Sequence, residues 1–198
     1  MRLPCTLSKP LLAFALTASS GLAARAQFTS GDNILGAGIG IGGAYSNVGF
    51  NSGVSQSPAI GLHFDHGMGT LGPGEWGLGG YVGYKHLSYT ERNSTYWTYD
   101  YSWTYFIIGA RGTWHYNDWH TDKLDTYAGV MLAYNAVTYK DNTNYGSYSY
   151  LNTYSYGGSY VGFSGLLGAR YWFSDKVGAY LELGYGVAAV QVGVSVRL

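Results

Sequence analysis

From Gln27 onward the chain alternates apolar residues with small or polar ones at period 2, which marks strands with two unlike faces. The first run is the plainest, with Leu35, Ala37, Ile39 and Ile41 on one face and Gly36, Gly38, Gly40 and Gly42 on the other, continuing to Tyr45. Ile60, Leu62 and Phe64 then alternate with Gly61, His63 and Asp65, and Trp76, Leu78, Val82 and Tyr84 with Gly79, Tyr81, Gly83 and Lys85. Phe106, Ile108 and Ala110 oppose Ile107, Gly109 and Arg111, and Ala128, Val130, Leu132 and Tyr134 oppose Gly129, Met131 and Ala133. In the second half Val161, Phe163, Leu167, Ala169 and Tyr171 stand against Gly162, Ser164, Gly168 and Arg170. Ala179, Leu181, Leu183 and Tyr185 stand against Tyr180, Glu182, Gly184 and Gly186. The last run sets Val190, Val192, Val194, Val196 and Leu198 against Gln191, Gly193, Ser195 and Arg197. The pattern predicts about eight strands.

The links between these runs differ in kind. On one side fall turn-like stretches rich in Gly, Asp and Asn, over 67–75, 117–123 and 174–176. On the other fall 46–57, 90–100 and 140–159, together with a tight link near 187–189. Short turns at one end and longer loops at the other predict an all-β, eight-stranded antiparallel up-and-down barrel that spans an outer membrane, with both termini in the periplasm.

Composition agrees with that geometry. Only 11% of the 198 residues are charged, against about 25% in an average soluble domain, so a water-facing exterior is short of charge. A soluble barrel of lipocalin type would turn the apolar face inward and expose the glycine face, with about one charge per strand. Mean hydropathy is −0.05 and no run of about 18 apolar residues occurs, so membrane helices are excluded as well. A closed sheet reconciles the two facts. In hydrocarbon every backbone N–H and C=O must pair within the protein, lipid accepts the apolar face, and the narrow lumen is filled by the other face. The 31 glycines relieve crowding there, and Trp76, Trp114, Tyr171 and Tyr185 sit where interfacial girdles form.

Residues 1–26 have the blocks of a secretory signal: Arg2 and Lys9, an apolar stretch from Leu11 to Ala18, and the small-residue end Ala24-Arg25-Ala26. Cleavage before Gln27 is expected, leaving 27–198 as the barrel domain. The precursor is formally neutral; loss of Arg2, Lys9 and Arg25 leaves 8 basic and 11 acidic residues, a net charge of 8 − 11 = −3. Cys5 goes too, so the mature chain has no disulfide, thiolate metal site or cysteine nucleophile. No basic stripe for nucleic acid remains.

From Gln27 to Leu198 the chain resembles small outer-membrane β-barrel proteins of the OmpA/OmpX-like class. The passage from Asp122 to Gly129 is similar to their turn-to-strand step, and Val190 to Leu198 resembles their C-terminal assembly signal, read by the barrel-insertion machinery. This one ends in Leu198 where an aromatic is commonest. The resemblance implies a cell-envelope protein, monomeric, with outer-membrane lipid and lipopolysaccharide as surroundings.

Inward-facing ionisable residues are His63, Asp65, Lys85, Arg111, Arg170, Glu182 and Arg197; lone charges are costly in a filled lumen, so a paired network that plugs it is expected. The alternative is a narrow channel. His86 and Ser88 share the outer face with Glu91 nearby, an arrangement similar to the His-x-Ser of lipid A deacylases of the PagL type, in which a histidine activates a serine. His115, Asp118, His120 and Asp122 match no tight ligand spacing and read as a solvated turn, so no metal is expected. Gly36 to Gly43 keeps strict period 2 with no helix after it and is no phosphate loop, and no cofactor is expected. Tyr96, Trp97 and Tyr99, and Tyr148, Tyr150, Tyr154 and Tyr156, lie among Ser, Gly, Asn and Thr, a mixture that binding surfaces favour; the other reading is strand extensions above the membrane with an aromatic girdle. The function expected is structural or adhesion-like through these loops and an extracellular ligand, without catalysis.

Overall fold

The computed structural model describes residues 27–43, 54–92, 98–116, 123–143 and 155–198. Residues 1–26, with the expected signal, lie outside them, as do Tyr45, Tyr96, Trp97, Asp118, His120, Asp122, Tyr148, Tyr150 and Tyr154. The described residues form nine antiparallel strands: β1 (Asn33–Ile41), β2 (Val54–Gln56), β3 (Ala59–Leu71), β4 (Gly74–Arg92), β5 (Thr98–Tyr116), β6 (Leu124–Asp141), β7 (Ser155–Trp172), β8 (Val177–Tyr185) and β9 (Val190–Arg197).

Eight of them close a ring. The order runs β4-β3-β1-β9-β8-β7-β6-β5, and β5 pairs back onto β4. First and last strands meet over Ile34↔Arg197 to Ile41↔Val190. The three-residue β2 sits beyond the end of β3, against Leu87 to Tyr89 of β4. Pro58 interrupts the edge between β2 and β3 because it has no N–H to give. Ser57 bridges the gap: its N–H donates to the His86 carbonyl at 2.9 Å, and its hydroxyl accepts from the His86 N–H at 3.0 Å.

Alternation sorts the two faces with the apolar residues outside. Leu35, Ile39, Leu62, Leu78, Phe106, Val130, Leu132, Phe163, Leu167, Leu181, Val192 and Val194 are all exposed, forming a continuous apolar belt. Inside, two apolar clusters bracket a polar middle. Tyr81, Leu87, Tyr105, Ile107 and Met131 belong to one, and Phe28, Ile34 and Trp172 form the other, at the end where the chain's first and last described residues lie.

The strands run further into their links than the sequence pattern indicates. β3 continues to Leu71 through a bulge between Gly67 and Gly69, so the expected 67–75 turn shrinks to Gly72-Pro73. Gly72, at φ +62°, takes the first central position and Pro73 the second, the residue order of a type II′ hairpin. At the opposite end β4 and β5 pair as far as Arg92↔Thr98, and β6 and β7 as far as Lys140↔Ser155. Within the expected loops over 90–100 and 140–159, the described residues 90–92, 98–100, 140–141 and 155–159 are therefore strand. At about 3.3 Å per residue, the 19 residues of β4 reach about 60 Å while the 9 of β1 reach about 30 Å. The wall is tall on the β4–β7 side and short on the β8-β9-β1 side, where the link over 186–189 is tight.

Candidate functional site

Two places concentrate chemistry: the lumen, and the sheet that projects above the short wall.

The lumen holds a chain of alternating charge. Arg111 sits between two carboxylates, with Nε 2.9 Å from Asp65 Oδ1 and Nη2 2.9 Å from Glu182 Oε1. Arg170 does the same one step along, with Nη2 3.5 Å from Asp65 Oδ2 and Nη1 3.2 Å from Asp125 Oδ2. Asp125 Oδ1 is 2.8 Å from His115 Nδ1, and His115 Nε2 is 3.1 Å from Thr113 Oγ1. The Tyr127 hydroxyl donates to Glu182 at 2.9 Å and Arg170 Nε to the Ser195 hydroxyl at 3.0 Å. All of these side chains are buried. Most of these contacts join strands that are not neighbours in the sheet, so they tie opposite walls together and fill the cross-section.

Of the seven ionisable residues expected to meet here, Asp65, Arg111, Arg170 and Glu182 lie in this chain. His63 stands beside it, Nε2 3.9 Å from Asp65 and its ring edge-on to Tyr180 at 4.8 Å. Lys85 belongs nearer the other end, where Nζ donates to the Gly42 carbonyl at 2.7 Å. Arg197 lies at the turn end, 4.5 Å over the Trp172 ring and 3.9 Å from Asp32. A single network of seven is thus replaced by a central chain with two outlying cations, because Lys85 and Arg197 sit in rows far from the middle of the barrel.

The sequence reading omits Asp125, Thr113 and Tyr127 from the lumen and assigns His115 to a solvated turn. β5 in fact continues to Tyr116, and His115 is fully buried on its inner face. The signal was available: Arg111, Thr113 and His115 share one parity, as do Asp125, Tyr127 and Met131.

The projecting sheet carries rows of aromatic side chains on the face continuous with the lumen. Leu87, Trp103 and Tyr139 occupy one row across β4 to β6, and Tyr89 and Tyr101 the next. Tyr101 stacks with Tyr89 at 6.3 Å, with Tyr99 at 6.3 Å and with Tyr139 at 6.0 Å, and Trp103 lies 5.5 Å from Tyr139. The Tyr89 hydroxyl donates to Glu91, and that bond holds the phenol above its ordinary pKa. Of the expected surface residues, Tyr99 and Tyr156 therefore sit on strands and not in loops.

On the opposite face His86 Nδ1 is 3.0 Å from Thr104 Oγ1, its cross-strand partner. Ser88 follows two residues on, between Ser55 and Ser102. Glu91 has the other parity and bonds Tyr89, so the strand directs it away from the face that His86 and Ser88 share. The orienting acid of a hydrolytic triad is not supplied by Glu91 in this arrangement. Val190, Val192, Val194 and Val196 of β9 and the following Leu198 all face outward.

No family model matches the chain, and no curated protein matches it. Among solved structures it is similar to the crystal structure of Ail, the attachment invasion locus protein of Yersinia pestis. Identity is 12% and the TM-score 0.43, over 85% of this chain and 96% of that one. The same Yersinia pestis protein in complex with the heparin analogue sucrose octasulfate gives 11% identity and a TM-score of 0.42, over 84% and 93% of the two chains.

Proposed function

We propose that the protein is an outer-membrane β-barrel that acts by contact at the cell surface, through the sheet projecting from its tall wall. The observation that carries this reading is the mismatch of strand lengths. An apolar belt exposed all round the barrel is soluble only in lipid, while the upper parts of β4 to β7 bear Tyr, Thr, Ser and charged residues suited to water. The chain ends and short turns then lie in the periplasm, and the projecting sheet points outward.

On this reading residues 1–26 are the cleaved export signal, and Val190 to Leu198 are the strand that the insertion machinery reads. Outer-membrane lipid and lipopolysaccharide surround the belt, and the Tyr-rich tip meets an extracellular ligand. Tyrosine suits such a role because it offers large, rigid contact area at small entropic cost. A filled lumen gives the barrel a scaffolding task in place of conduction.

Deleting 142–156 from the expressed protein and counting adherent cells on a matrix-coated surface tests the proposal. Adhesion is expected to fall to that of cells lacking the protein, while heat-modifiable migration on a denaturing gel stays. Unchanged adhesion would remove the surface role and leave a purely structural barrel.

A further inference from the structure

At the turn end the segment 27–32, ahead of β1, folds back into the mouth of the barrel. Phe28 is completely buried. Its ring stacks on His115, centroids 3.9 Å apart and planes 19° from parallel, and packs with Ile34 and Trp172. The seat is cut to shape. A Cβ at Gly77 of β4 would lie 2.9 Å from Cε1 and Cζ of Phe28, so any larger residue there would displace the ring.

Polar contacts hold the segment. The Gly31 N–H donates to the Gly67 carbonyl and the Gly67 N–H to the Asp32 carbonyl, both at 2.9 Å. Asp32 Oδ2 accepts from the N–H and hydroxyl of Thr29 at 2.9 and 3.2 Å, closing a small loop below Phe28. From the last strand Arg197 Nη2 reaches the Gln27 carbonyl at 3.4 Å and lies 3.9 Å from Asp32. Behind the phenyl ring begin His115, Asp125 and Arg170, the lower end of the ionic chain.

We propose that residues 27–32 are a cork: Phe28 seals the turn end of the lumen against water, and Arg197 latches the segment in place. A phenyl ring in this position has a reason to stay, since leaving exposes it to water together with Trp172 and Ile34. The ions behind it keep their strength only while water is kept away. Gly77, Thr113, His115, Trp172 and Arg197 come from four strands, so the seat is complete only in the closed barrel. This inference concerns the lumen and holds whether or not the projecting sheet binds a ligand.

Diethyl pyrocarbonate, which acylates accessible imidazoles, tests it on the protein folded in detergent micelles, with peptide mass spectrometry resolving each histidine. In the unaltered protein His115 is expected to react at least tenfold more slowly than His86, which lies part-exposed on the outer face. Phe28→Ala is expected to speed the reaction at His115 at least tenfold, leaving His63 slow and the heat-modifiable gel shift intact. Phe28→Leu, which still fills the seat with apolar bulk, retains most of the protection. Rapid acylation of His115 in the unaltered protein would overturn the proposal without need of any variant. So would an unchanged slow rate in folded Phe28→Ala.

Discussion

Tyr127 of β6 lies across Gly168, its directly paired neighbour on β7, so closely that a side chain at Gly168 would enter the tyrosine ring. The relationship recurs round the lumen. His63 covers its partner Gly36, Tyr180 covers its partner Gly193, and Tyr81 covers Gly61 and Gly83. These inward glycines are therefore seats for flat rings, which the narrow lumen of an eight-stranded barrel has room for only where the neighbour lacks a side chain.

Tyr127 has no room to swing aside. Its hydroxyl is bonded to Glu182, and the Arg170 guanidinium lies 5.1 Å from the ring centroid. Gly168→Ala should cost about 1–3 kcal/mol, the usual penalty of overpacking, measured by urea unfolding of the protein in lipid vesicles. The same change at Gly158, where nothing lies within 4 Å, should be close to neutral. Equal effects at the two positions would refute the seat argument.

Arg111 is the joint of the ionic chain. Replacing it with Met leaves Asp65 and Glu182 facing each other in a buried space without a cation between them, and breaking such a pair costs about 3–5 kcal/mol. Glu182→Gln added to Arg111→Met should recover more than about 0.5 kcal/mol relative to strict additivity, because the two residues share a contact. Strictly additive unfolding energies would show that the two side chains do not meet in solution.

Facing was readable throughout because it depends only on parity, and parity survives any error in strand ends: Ile60, Leu132 and Leu181 point outward where alternation puts them. Strand ends were harder. From Thr98 to Tyr105 the aromatics Tyr99, Tyr101, Trp103 and Tyr105 alternate with Thr98, Asp100, Ser102 and Thr104, but the outward positions are polar, so the apolar lipid-facing row that marks the lower strand is missing; cross-strand pairs such as Tyr89↔Tyr101 and Trp103↔Tyr139 extend the sheet instead. Ion partners were hidden for a different reason. Glu182 meets Arg111 across the lumen, and which inward residues share a level depends on the stagger of a closed sheet, a property of the whole ring.

The lumen should not conduct. Beside Arg111 and Glu182 the free space amounts to about 40 Å³, enough for no more than a few waters, and the residues around it are tied to opposite walls. Purified protein in a planar bilayer is expected to give no sustained large current at any moderate voltage. A stable large conductance would require the charge chain to open and would contradict the filled barrel.

The apolar belt sets the last test, which bears on the membrane reading itself. Leu132 is 60% exposed on the outer face of β6, level with Ala110 and Phe163 on the flanking strands. On the same strand and face, six residues along, Thr138 stands in the row of His86 and Thr104, above the belt. If lipid surrounds the belt, Leu132→Arg places a guanidinium in hydrocarbon and should cost about 2–4 kcal/mol, whereas Thr138→Arg should cost about 0–1 kcal/mol. Folding into vesicles, followed by the gel shift over a urea series, reads both values. A barrel standing in water would tolerate arginine at both positions, since each side chain is exposed, so a harmless Leu132→Arg would remove the membrane assignment.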